Sequence, residues 1–319
     1  MKKLIALMLS LCLILGMTAV AAADDPVRVY ALKGPTGIGL VKVMNDNDGT
    51  YAFTLAGAPD EVVSAVASGN ADIAAVPTNL AATLYNKTKG NVQLLALNTL
   101  GVLSILSTDD SIKTIADLEG KTLWATGQGS TPEYVLNYIL EANGLTGKVD
   151  VQYKTEHAEL VTVAAMGEAT LVMLPEPNVT SLLMQNPDFK IVLDVTTLYD
   201  EAAAKSGAEG AALCQGCVIV NKEFAANNPE KVAAFMQAYA QSVEFVNSDV
   251  EAASAMVEAQ GIIPKAAVAK KAIPNCHIVF VSGAEMKTMI VPFFEVLHSA
   301  NPKSVGGTLP GEDFYYIAE

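Results

Sequence analysis

Arginine is nearly absent from this chain: Arg28 is the only one in 319 residues. A ligand gripped by a fork of guanidinium groups is therefore excluded in practice, because lysine does not reproduce that planar bidentate geometry. Basic residues are scarce altogether, 20 against 34 acidic ones, for a formal net charge of −14. That balance disfavours nucleic acid and anionic membrane surfaces as partners, since both need basic patches. Histidine is limited to His157, His277 and His298, none in a metal-ligand spacing, so each reads as a surface or capped histidine and no metal site is expected. Nucleotide-binding motifs are missing too. Gly127-Gln128-Gly129 is followed by Pro132 where a dinucleotide fingerprint needs its third glycine, and Gly34, Gly37 and Gly39 have the wrong spacing. Neither a phosphate-loop lysine motif nor a G-x-S-x-G elbow occurs, so no cofactor and no catalytic residue is assigned.

Long apolar runs are confined to the N-terminus. Lys2 and Lys3 precede an almost wholly apolar stretch from Leu4 to Val20, and Ala21-Ala22-Ala23 offers small residues for cleavage. Residues 1–23 read as an export signal, with a mature chain beginning at Asp24. Leu11 stands where a lipid-anchored form needs a small residue before Cys12, so lipidation is not expected. Removal of the signal also removes two positive charges and leaves Cys214, Cys217 and Cys276 in a compartment where disulfides form. Cys214-Gln215-Gly216-Cys217 has no second C-x-x-C or histidine pair to complete a metal set. One disulfide and a leftover buried thiol is the expectation, with Cys217–Cys276 the preferred pair.

What is present in quantity is an alternation of short apolar runs with amphipathic helical stretches, the pattern of parallel sheets covered by helices. The runs predict strands at Val27–Leu32, Tyr51–Leu55, Ile73–Val76, Val92–Leu97, Val102–Leu106, Thr122–Ala125, Val149–Tyr153, Leu171–Leu174 and Ile191–Val195. From Asn221 onward the chain is predicted mostly helical, with Val232, Phe235, Met236, Tyr239, Val243 and Val246 tracing one buried face. An internal echo adds to this. Residues 68–77 realign with residues 166–175, each copy reading as helix, glycine stop, buried strand and a proline that opens a loop. Two similarly built α/β lobes are implied, one from 24–100 with 213–319 and the other from 101–212. The chain is expected to cross between them within Asn98 to Ser107 and again near Ala211 to Val220, giving a two-segment hinge.

In such sheets ligands bind beyond the carboxyl ends of strands, where helix N-termini present unpaired N–H groups. Four loops fall there. Lys33, Gly34, Pro35 and Thr36 follow the first strand; Pro77, Thr78 and Asn79 follow the third, with Thr78 as a candidate N-cap. In the second lobe Gln128, Gly129, Ser130 and Thr131 open a helix, with Thr131 as cap and Pro132 as first helical residue, or with Ser130 and Glu133 as a capping box. Glu176 sits at the equivalent point of the repeated unit, able to cap a helix or to accept from a ligand N–H. These residues, with Thr99 at the first crossing, form the candidate ligand-binding set. Their hydroxyls and helix ends suit an anionic group held without arginine, and suit a neutral or zwitterionic ligand equally.

Asp117-Leu118-Glu119-Gly120-Lys121 before a strand, then Gly129-Ser130, then Leu174-Pro175-Glu176-Pro177, resembles the solute-binding proteins of the nitrate, sulfonate and thiamine-precursor type of ABC importer. The resemblance covers essentially the whole mature chain. It implies the α/β type II periplasmic-binding-protein fold and a small molecule clamped in the cleft between the lobes. It also implies an ABC permease and ATPase as partners, a place outside the cytoplasm, in the periplasm or at the cell surface, and a monomer. Thr170 departs from the acidic residue that many relatives carry after the Gly-x-Ala step. Lys33-Gly34-Pro35-Thr36, Ile273-Pro274-Asn275-Cys276 and Asn301-Pro302-Lys303-Ser304-Val305-Gly306-Gly307 look like marks of a subgroup. Two other classes share the architecture: an enzyme of menaquinone or pyrimidine biosynthesis, and a ligand sensor that touches a receptor. The export signal argues against the first, as does the lack of a paired nucleophile and base.

Overall fold

The structure, a computed structural model, describes residues 25–208 and 210–317, so the expected export signal and its cleavage point lie outside the described residues. Eleven strands form two sheets among the described residues. The first six are β1 (Val27–Leu32), β2 (Tyr51–Ala56), β3 (Ile73–Pro77), β4 (Val92–Thr99), β5 (Leu103–Ser107) and β6 (Thr122–Thr126). The others are β7 (Asp150–Lys154), β8 (Leu171–Pro175), β9 (Lys190–Asp194), β10 (Gly216–Asn221) and β11 (Ile278–Ser282). One sheet has the order β11-β4-β10-β3-β1-β2 and the other β7-β6-β8-β5-β9.

The expectation of parallel sheets is corrected to mixed ones. β10 runs antiparallel to both β3 and β4, β11 antiparallel to β4, and β5 antiparallel to β8 and β9. Antiparallel neighbours arise because the chain returns to a sheet it has already left, and an apolar run carries no mark of strand direction. β10 and β11 are also strands that the apolar runs did not predict. β10 lies inside the stretch read as a crossing. β11 is a half-buried edge strand inside a region dominated by helical periodicity.

The repeated unit is present as read. Helix Pro59–Ala67 leads through Gly69, at φ 74°, to β3 and helix Thr78–Lys87; helix His157–Ala165 leads through Gly167, at φ 82°, to β8 and helix Asn178–Gln185. The left-handed turn after each helix is open to glycine without a Cβ penalty. β3 (IAAVP) and β8 (LVMLP) are buried on both faces, which is why their apolar runs show no alternation.

The first crossing is Leu100-Gly101-Val102, between β4 and β5, and the second leads from helix Val195–Ser206 to β10. Packing at the first is tight: a Cβ on Gly101 would lie 2.1 Å from Thr196 Oγ1 and 3.1 Å from Leu213 Cδ2. His277, at φ 41°, binds the same crossing twice. Its carbonyl accepts from Leu100 N at 3.2 Å and its Nδ1 contacts the Gly101 carbonyl. A cavity of about 360 Å³ opens beside it, walled by Leu100, Leu213, Thr196 and Asp200.

One apolar core runs through both sheets. It joins Leu84 and Leu94 to Ile105, Leu123 and Val135, with Phe293 and Phe294 of helix Gly283–Ala300 among its members. Phe293 meets Tyr199 edge-on at 5.8 Å between ring centroids, and Tyr199 meets Tyr138 at 5.8 Å. A second core lies on the opposite face of the first sheet, where Val218 and Val220 pack while Cys217 and Ile219 point to the first. This alternation overturns the disulfide expectation. Cys217 and Cys276 lie in cores on opposite faces of the sheet, and Cys214, Cys217 and Cys276 are all buried free thiols. Arg28 is held by Asp72, whose carboxylate accepts from Arg28 N at 2.8 Å and Nε at 3.0 Å, so the one arginine is tied to its own sheet.

Candidate functional site

β1, β3, β6 and β8 end at the four loops, and two of these meet from opposite sheets. Thr78 and Thr131 are each the first residue of a helix, Thr78–Lys87 and Thr131–Ala142, and both are fully buried. Thr131 Oγ1 donates to Asn79 Oδ1 at 3.0 Å and lies 3.4 Å from Thr78 Oγ1. Asn79 Nδ2 in turn reaches the Gly129 carbonyl at 3.4 Å. Two helix N-termini, each a centre of positive potential, are thus brought face to face between the sheets.

Local details differ from the expected caps. Pro77 holds the N-cap position and Thr78 the first helical one, where its hydroxyl donates to the Cys214 carbonyl at 2.6 Å instead of capping. Ser130, not Thr131, holds the next N-cap position, and its Oγ donates to the Gly127 carbonyl at 2.7 Å. Glu133 does reach back, but to Gly129 N at 2.5 Å and not to Ser130 N, so the box closes one residue early. Gly127 at φ 81° and Gly129 at φ 75° bend the loop enough to allow this. Gln128 and Gly129 are exposed, while Ser130 and Thr131 are buried.

A second convergence lies at the floor, on the carboxyl ends of β1 and β4. Thr36 donates to the Leu32 carbonyl at 3.2 Å, in the single helical turn Pro35–Ile38 that Gly34 opens at φ 106°. Thr99 Oγ1 donates to Asn98 Oδ1 at 3.1 Å. Both residues crowd Gly216, where an added Cβ would lie 2.6 Å from Asn98 Oδ1, 2.8 Å from Thr36 Cγ2 and 3.3 Å from Thr99 Cβ. Lys33 points to solvent, its backbone N–H bonded to the Ala56 carbonyl at 3.1 Å.

Glu176 stands apart from both groups. Its buried carboxylate accepts from Thr180 N at 3.1 Å and Thr180 Oγ1 at 3.0 Å, so it is engaged by the first turn of helix Asn178–Gln185. Burial raises its pKa, opposed by those bonds and by the charge of His277.

Three residues of this region were not in the candidate set. Gln215 Oε1 is a buried atom without a hydrogen-bond partner among the described residues, and Asn98 Nδ2 is a buried donor turned toward the Tyr239 hydroxyl. A buried amide oxygen left unpaired costs free energy. The signal in the sequence was an Asn-Thr pair closing the apolar run Leu94–Leu97 of β4. His157 is the third. Its Nδ1 lies 2.6 Å from the hydroxyl of Thr126, the last residue of β6 before the Gly127 turn, so it props the loop from behind.

Residues 54–253 match the model of the family described as NMT1/THI5 like. The chain belongs to the NMT1/THI5-like family. No curated protein sequence matches it. Solved structures extend the likeness to nearly the whole length. An ABC transporter protein from Parabacteroides distasonis is 24% identical with a TM-score of 0.76, over 93% of this chain and 99% of that one. The periplasmic aliphatic sulphonate-binding protein of Escherichia coli is 16% identical with a TM-score of 0.70, over 93% and 94%. The alkanesulfonate-binding protein of Xanthomonas axonopodis pv. citri, solved with bound MOPS, is 15% identical with a TM-score of 0.68, over 91% and 96%. These are type II periplasmic-binding-protein folds, and the two mixed sheets of this NMT1/THI5-like chain have the same architecture.

The floor of the site in this NMT1/THI5-like protein is directly testable. Gly216→Ala is expected to destabilise it by about 1–3 kcal/mol, because Asn98 and Thr36 must yield to the new methyl group. Urea unfolding followed by circular dichroism measures this. A midpoint unchanged from the parent would show that the floor is looser than these distances imply.

Proposed function

We propose that this chain is an extracytoplasmic solute-binding protein that captures a small molecule and delivers it to the permease and ATPase of an ABC importer. The observation that carries the reading is the meeting of the Thr78 and Thr131 helix N-termini from opposite sheets, across a junction crossed by only two chain segments. Lobes of residues 24–100 with 213–319, and of residues 101–212, would clamp the ligand there. Thr36, Thr78, Thr99, Ser130 and Thr131 supply hydroxyls, and Gln215 Oε1 supplies a free acceptor. Binding without turnover is the reading favoured here, since the Thr126 hydroxyl that faces His157 is only 1% exposed and Glu176 is held by the first turn of helix Asn178–Gln185. Among the described residues no helix is long and apolar enough to cross a membrane.

Native mass spectrometry of protein freshly purified from its own host tests the proposal. The expected result is one small molecule bound per chain and released unchanged. Added back at about a hundredfold excess over Kd, that molecule should stabilise the fold by roughly 2.7 kcal/mol. A chemically altered compound on release would favour the enzyme reading. Absence of any bound species, with no thermal shift from sulfonates, nitrate or pyrimidines, would overturn the solute-binding role.

A further inference from the structure

The cavity of about 360 Å³ beside the first crossing lies on the other side of the junction from Thr78 and Thr131. Strand order places it there. Thr196 follows β9 and His277 precedes β11, the edge strands next to β5 and β4, whereas Thr36, Thr78 and Thr131 follow β1, β3 and β6 on the other side of those two strands. The side chains that wall it, Leu100, Thr196, Asp200, Ala212, Leu213 and His277, are all outside the candidate ligand set. Its volume is in the range of small-molecule sites, roughly 300–1,000 Å³. Asp200 and His277 are both exposed, so a ligand can reach them from solvent.

Negative charge collects there without a counter-charge. The Asp200 carboxylate has no ion pair and no hydrogen bond among the described residues, and partial burial together with the charge of Asp194 raises its pKa. Asp194 itself accepts from Thr197 N at 2.7 Å and Thr197 Oγ1 at 2.9 Å, so it adds charge without offering Asp200 a partner. His277 contributes a second acceptor. Its Nδ1 faces the Gly101 carbonyl, which can only accept, so Nδ1 carries the proton and the neutral ring keeps its lone pair on Nε2. The residue is fixed at φ 41°, uncommon away from glycine, by the bond from Leu100 N to its carbonyl. Leu100, Ala212 and Leu213 form the apolar part of the wall. An anion without a partner beside an apolar wall is what an ammonium with a hydrocarbon body completes. No group of three His, Cys, Asp or Glu side chains able to hold a metal ion occurs among the described residues, which favours an organic cation over a metal.

We infer that this cavity is a second binding site, separate from the candidate solute site, for a small organic ammonium. Asp200 takes the charge, Thr196 and His277 offer further acceptors, and Leu100 and Leu213 cover the hydrocarbon. The site stands independently of the solute-binding reading, since it shares no residue with the loops that carry that reading.

The test uses the full chain from Asp24 onward with isotope-labelled histidine, followed by nuclear magnetic resonance, and cyclohexylammonium as the probe. The chain has only three histidines, and the signal lost in His277→Gln identifies that ring. Cyclohexylammonium should shift the His277 signals saturably and leave those of His298 in place, with one site and a Kd on the order of a millimolar, which is what so few heavy atoms supply. Asp200→Asn should weaken binding on the order of tenfold, the loss expected for a hydrogen bond between charged groups. Glu201→Gln removes the same charge from the next residue of the helix, also exposed, and should leave Kd unchanged. That pair of variants separates a built site from the general attraction of an acidic protein for cations. Cyclohexanol, the same ring without the charge, should bind about tenfold more weakly or worse. Three results would each overturn the inference: an unshifted His277 ring, equal affinities for the two probes, or an Asp200→Asn protein that binds no worse than Glu201→Gln.

Discussion

Phe293→Ala is expected to cost about 3–5 kcal/mol, a large part of the total stability of an ordinary protein. Phe293 is fully buried on helix Gly283–Ala300, between Tyr199 at 5.8 Å and Phe294 at 6.5 Å. Truncation removes a ring from the place where the C-terminal helix meets the helix Val195–Ser206 that covers the second sheet. The cavity would be lined by aromatic rings joined to two different sheets, so it has little freedom to collapse. Because one core includes side chains from both sheets, the loss should lower a single unfolding transition instead of splitting it. Urea unfolding followed by circular dichroism and by the fluorescence of Trp124 checks both points. Coincident curves with a midpoint shift worth less than about 1 kcal/mol would show that this junction is not a shared core.

Acidification should produce the other large effect. The His157 ring is enclosed although part of the residue remains accessible, and burial lowers its pKa from 6.5 to about 4. The unfolded chain then takes up a proton near pH 6.5 that the folded chain refuses until about pH 4. Folding stability from this group is complete above pH 6.5 and is lost as pH falls toward 4, by about 3 kcal/mol at the end of that window. Glu176 works in the opposite direction, since a buried carboxyl with a raised pKa binds its proton more tightly folded than unfolded. Asp109, held at about 2 by its bonds to Ser111 and Lys121, acts below the window. The comparison that isolates His157 is therefore parent against His157→Asn, with unfolding free energies taken between pH 7 and pH 4. The parent should fall more steeply; parallel curves would mean that the ring is solvated. Since His157 backs Thr126 and the Gly127 turn, the Ser130–Thr131 loop should loosen over the same pH range.

The architecture was legible because its signals are local. Apolar runs flanked by glycine place β1, β3 and β8 within a residue of their bounds, and the echo between residues 68–77 and 166–175 identifies equivalent strands in two sheets. Strand direction was not legible, since the identity of a neighbour in a sheet depends on where the chain returns, and β10 returns between β3 and β4 from more than a hundred residues away. The loops of the candidate site could be located, but their internal bonds could not. Thr78, Ser130 and Thr131 all have the composition of caps, and each directs its hydroxyl to a tertiary partner or a loop carbonyl instead. The disulfide expectation failed for a related reason: the compartment argument counts thiols, whereas the side of the sheet a thiol faces is settled by strand register.

The position of β10 also has a consequence for how the chain is made. A protein threaded from its N-terminus presents β1 to β4 first, but the strand that joins β3 to β4 comes only at Gly216–Asn221, after all five strands of the other sheet. Until then the first sheet has a gap at its centre and two open edges, and no cooperative unit containing β3 and β4 can be completed. The second sheet, a continuous run from Leu103 to Asp194, has all its strands as soon as they emerge. Synthesis order and folding order are therefore expected to be reversed for the two halves, because the first sheet can close its centre only once about two thirds of the chain has been made.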